Sequence, residues 1–139
     1  MRRICLIAAA ILLLVCVQQA WAAPPGLPST FYGSVRIDGN NVPAGSYVSA
    51  RIGGITYKRV QVIQDATHGM VYALDIPADD ATTPAVEGGR NGDTVVFVAE
   101  LPGGSTRTMM QRGTWRSGGS MELHLGTSVD AVIPLVFSR

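Results

Sequence analysis

The sequence predicts an all-β protein, a single seven-stranded Greek-key β-sandwich over residues 29–126. Three observations carry that prediction. Short segments alternate apolar and polar residues with a period of two, the mark of a strand with one face in a core. Turns rich in glycine, asparagine and proline separate them every eight to twelve residues, the spacing of a sandwich. Beyond the apolar N-terminal stretch, no segment places apolar residues at helical spacing.

The elements follow in order. Residues 23–28 hold Pro24, Pro25 and Pro28, which cannot donate to a ladder, so they read as an extended linker. Phe31 to Ile37 alternates, with Phe31, Val35 and Ile37 on one face and Tyr32, Ser34 and Arg36 on the other. Asp38 to Asn41 is a turn. Tyr47 to Ile52 sends Val48, Ala50 and Ile52 inward, and Gly53-Gly54 is a two-residue hairpin signal. Ile55 to Gln64, rich in Val, Ile, Tyr and Thr, reads as one strand.

The clearest stretch is Asp65 to Pro77, a turn that opens into a strand and stops at proline. Tyr72, Leu74 and Ile76 share one face, and Ala73 and Asp75 the other. Residues 78–93 have no period and read as a long loop, a common place for function on a sandwich. Thr94 to Leu101 is apolar almost throughout, as in a strand covered on both faces. Ser105 to Gln111 is a strand, residues 113–119 surround Trp115, and Met121 to Leu125 alternates with Met121, Leu123 and Leu125 inward. Residues 127–139 form a tail.

Residues 1–22 read as a secretory signal: Arg2 and Arg3, an apolar run from Ile4 to Val17, then Ala20-Trp21-Ala22 before the cut. The run is shorter than the roughly 18 residues a membrane span needs. Cleavage would remove Cys5 and Cys16, so the domain would be held by its core and not by disulfides. It would also remove Arg2 and Arg3, leaving nine basic residues against ten acidic ones, scattered along the chain. No basic patch remains to neutralise phosphates, which argues against a nucleic-acid partner. The expected location is secreted or extracytoplasmic, at the cell surface, with no membrane span after cleavage.

Several stretches together resemble the transthyretin-like sandwiches grouped as carboxypeptidase regulatory-like domains. Gly33-Ser-Val-Arg-Ile-Asp-Gly39 followed by Val42 to Ala50 is similar to the family's opening pair of strands. Asp65 to Pro77 is similar to its D-x-x-G-x-Y-x-L-x-V-P strand, except that Met70 and Val71 stand between Gly69 and Tyr72 where one residue is usual. That departure points to a bulge or a shifted turn. Gly92 to Phe97, Thr114 to Gly119 and Leu123 to Leu125 resemble a variant of bacterial and archaeal secreted surface proteins. The resemblance implies a transthyretin-like or Ig-like sandwich and a non-catalytic module for structure, adhesion or spacing.

Candidate sites are few. Trp115 reads either as a platform for a sugar ring or as a core residue closing one end of the sandwich. Tyr32 and Tyr47 fall on polar faces, where they would be exposed or paired across strands. Asp79, Asp80, Glu87 and Asp93 gather oxygens in the long loop and suggest calcium, although the D-x-D-x-D-G spacing is missing. His68 and His124 read as two surface residues, too few for zinc in a domain without thiols. No G-x-S-x-G elbow or cysteine nucleophile is present in the domain, so no cofactor and no enzymatic activity are expected. The expected function is a structural or adhesive role at the cell surface toward surface proteins or glycans. The alternative is a carbohydrate-binding domain built on Trp115 and exposed tyrosines.

Overall fold

The computed structural model describes residues 26–127. The expected signal, the start of the linker and the tail from residue 128 lie outside them. The described residues form strands, turns and loops, with no helix to cross a membrane. The strands are β1 (Ser29–Ile37), β2 (Asn40–Asn41), β3 (Tyr47–Ile52), β4 (Ile55–Gln61), β5 (Ile63–Asp65), β6 (Gly69–Ile76), β7 (Thr94–Glu100), β8 (Thr106–Thr114), β9 (Ser120–Glu122) and β10 (Leu125–Gly126).

Ten strands stand among the described residues where the sequence predicts seven, for identifiable reasons. The run Ile55 to Gln64 is two strands in different sheets. Val62, 3% exposed, turns inward between them, and its N–H reaches the carbonyl of Ser46 at 2.9 Å. The alternating stretch Met121 to Leu125 is likewise split between β9 and β10, and Met121 faces out, 37% exposed. Leu125 is buried as expected.

Two sheets result. One has six strands with the path β10-β1-β6-β5, β2 and β9 also pairing with β1; the other runs β4-β3-β7-β8. Most pairings are antiparallel, but β9 and β10 run parallel to β1. The β1–β6 ladder, Ser29↔Ile76 to Ser34↔Val71, and the β5–β6 ladder that starts at Asp65↔Gly69 show no register shift. Met70 and Val71, the residues between Gly69 and Tyr72, therefore pair regularly within β6, with no bulge there. The shifts lie elsewhere, at Ala50/Arg51 and between Val96 and Val98.

Inward side chains of both sheets share one core. Phe31 and Tyr72 from the six-stranded sheet meet Phe97 from the other, with ring centroids 5.4 and 6.1 Å apart. Val35, Val48, Leu74, Ile76, Val95, Met109 and Leu125 fill the space around them. Tyr72 donates its hydroxyl to the carbonyl of Leu123 at 2.8 Å, and burial raises its pKa. Gly33 allows residues 123–124 to lie against β1: a Cβ there would run into the Leu123 carbonyl. That approach carries His124 onto the outer surface of β1.

Candidate functional site

The outer faces of the two sheets differ chemically. On the four-stranded sheet, Tyr47 of β3 and Glu100 of β7 are cross-strand partners. The Arg59 guanidinium stands 3.5 Å from the centre of the Tyr47 ring, and its Nε–H donates to Glu100 at 2.8 Å. Ser49 donates its hydroxyl to the other Glu100 oxygen. The Ser49 bond, then the Arg59 bond, hold the Glu100 carboxyl below its usual range. These four side chains satisfy one another.

The outer face of the six-stranded sheet is open. Outward side chains lie in rows set by the register: Tyr32 beside Ala73, and Ser34 beside Val71. A groove of about 310 Å³ runs over them. One bank is the turn after β5. There Asp65 Oδ1 accepts the N–H groups of His68 and Thr67 at 2.7 and 2.9 Å and lies 2.9 Å from His68 Nδ1. These bonds, the His68 amide first, hold the Asp65 carboxyl below its usual range.

The other bank is the β9–β10 stretch. His124 Nδ1 accepts the N–H of Ser34 at 3.1 Å and lies 3.0 Å from the Ser34 hydroxyl. Because Nδ1 is an acceptor, the neutral ring carries its proton on Nε2. Nε2 stands 3.6 Å from Glu122 Oε1, beyond hydrogen-bonding distance. Glu122 has no other ion-pair or hydrogen-bond partner among the described residues. Ser34, His124 and Glu122 thus line up like a nucleophile, a base and a carboxylate. However, the Nδ1 lone pair that would take the Ser34 proton is already engaged by a backbone N–H, so the arrangement positions the imidazole without activating the serine.

The residues singled out from sequence do not meet at one place. Of the two roles the sequence leaves open for Trp115, the structure has the core one: it is 2% exposed, donates Nε1–H to the Ile76 carbonyl at 3.1 Å and packs against Gly89. Tyr32 is 41% exposed and lines the groove. Tyr47 is half-buried on the other sheet beneath Arg59, so the two tyrosines share no site.

The loop carboxylates serve the loop itself. Asp79, its side chain 2% exposed, accepts the Glu87 N–H at 2.9 Å and Arg90 Nε at 2.7 Å. Asp80 holds the amide and hydroxyl of Thr82, and Asp93 the Arg90 N–H. Together with Glu87 they do not converge: among the described residues no three His, Cys, Asp or Glu side chains gather as a metal would need. Sequence reasoning missed the pairing of His68 and His124 on one groove, because it needs Gly33 to bring β9–β10 against β1. Compared with known proteins, the chain matches no family model, no curated protein and no solved structure.

Proposed function

We propose that the chain is an exported, non-enzymatic module, a Greek-key β-sandwich of the transthyretin-like, carboxypeptidase regulatory-like kind, with a structural or adhesive role at the cell surface. The observation that carries this reading is the contrast between the two outer faces. On one, Tyr47, Arg59 and Glu100 close on one another; the other presents a groove whose polar atoms reach solvent. A surface with an exposed aromatic ring and unpartnered polar groups is suited to holding a partner. The Ser34–His124 arrangement supports binding over catalysis, for the reason given above. The sugar-binding alternative loses the indole on which it was built.

Isolated cell envelopes, mixed with the purified protein and sedimented, test the proposal. The protein should sediment with them, and a charged substitution on the open face, Val71→Arg, should release it. Equal sedimentation of Val71→Arg, or hydrolysis of a peptide or glycan that stops in Ser34→Ala, would refute it.

A further inference from the structure

Each outer face places a tyrosine opposite a glutamate, across an antiparallel pairing on one sheet and a parallel pairing on the other. Tyr47 and Glu100 are cross-strand partners on one sheet. Tyr32 and Glu122 are cross-strand partners on the other. In the first pair a guanidinium lies over the ring and on the carboxylate. In the second pair, no Lys or Arg among the described residues reaches the carboxylate.

We infer that Tyr32 and Glu122 form an open cation clamp, and that its occupant is an arginine side chain presented by a separate protein. Charge favours this. The strands of the six-stranded sheet carry Asp65, Asp75 and Glu122 against Arg36 alone, while those of the other sheet carry Arg51, Lys58, Arg59, Arg107 and Arg112 against Glu100. A planar guanidinium can stack on an aromatic face and bond a carboxylate together, which Arg59 already does in this chain. Arg36 lies four residues along β1 from Tyr32, facing the neighbouring cleft beside His68 and His124.

The inference rests on reading the open face as a contact surface.

The test titrates the purified protein with a blocked Gly-Arg-Gly peptide and its citrulline counterpart, followed by NMR. The arginine peptide should shift the resonances of Tyr32, Glu122 and His124 at pH 7.5, and the uncharged citrulline peptide should not. Glu122→Gln, at an exposed side chain, should weaken binding about two- to fivefold. Ala73→Arg places a guanidinium beside Tyr32 and should abolish the response. Equal shifts with both peptides, no shift with either, or binding unchanged by Glu122→Gln would overturn the clamp. Self-association lost in Glu122→Gln would overturn the separate partner and assign the cation to a second copy. Envelope binding lost in Val71→Arg but kept in Glu122→Gln would leave the contact face standing and remove the clamp.

Discussion

Trp115 joins the loop of residues 78–93 to the core. Its backbone N–H bonds the Asp93 carbonyl at 2.8 Å, its own carbonyl takes the Gly92 N–H at 3.0 Å, and its indole N–H takes Ile76. Trp115→Phe should cost about 1–3 kcal/mol, because the buried Ile76 carbonyl loses its donor. Trp115→Ala should cost about 3–5 kcal/mol. Gly89→Ala should also destabilise, by about 1–3 kcal/mol, since a Cβ there would enter the indole. Urea denaturation of the three variants checks all of these. The sequence allowed both roles for this residue; what decides is the carbonyl of Ile76, 39 positions away, which no local pattern reveals.

The loop of residues 78–93 is held at both ends by backbone bonds, Gly89 N–H to Pro77 and Asp79 N–H to Gly89, and in its middle by the Asp79 carboxylate. The Glu87 amide first, then Arg90, keep the Asp79 carboxyl below its ordinary value. A folded-state pKa below the unfolded one stabilises the fold above the unfolded value, near 4, and that contribution drains as pH falls through the folded value. Between pH 5 and pH 3 the melting temperature should therefore fall. In Asp79→Asn it should start lower and fall less steeply. The same carboxylates are engaged by protein donors, so millimolar calcium and chelator should leave the melting temperature unchanged.

Period and turn chemistry made most of the strands legible. β3, β6 and β7 stand within two residues of where alternation and glycine turns predict them. What the sequence hid was the passage between sheets. Val62 sits in a run of β-formers that reads as one strand, and only its burial beside Ser46 shows the crossing. The groove was hidden for a similar reason: its banks lie about 55 positions apart and meet through the β1–β9 and β1–β10 pairings.

Across the whole molecule, the edges of the four-stranded sheet are defended. Lys58 on β4 lies in the inward row of Ala50 and Phe97, and Arg107 on β8 in that of Val48 and Ala99. A charge on the core-facing row of an edge strand opposes pairing with another chain. The double variant Lys58→Val with Arg107→Val should remain folded and aggregate faster, with light scattering rising at concentrations where the unmodified protein stays clear. Partners should therefore meet this molecule on its open face and not by extending this sheet.

The parallel pairing of β1 with β10 has a mechanical meaning. β1 enters the fold at Ser29, and β10, running the same way beside it, leaves at Gly126. Tension applied to the two ends is directed along these strands and crosswise to the hydrogen bonds between them. Those bonds are loaded in shear, all at once, instead of being unzipped one by one. A surface module tethered at one end and gripping at the other would resist stretching through this seam, and a force-spectroscopy trace should show a single high rupture peak that falls when Val35↔Leu125 pairing is broken by Leu125→Pro.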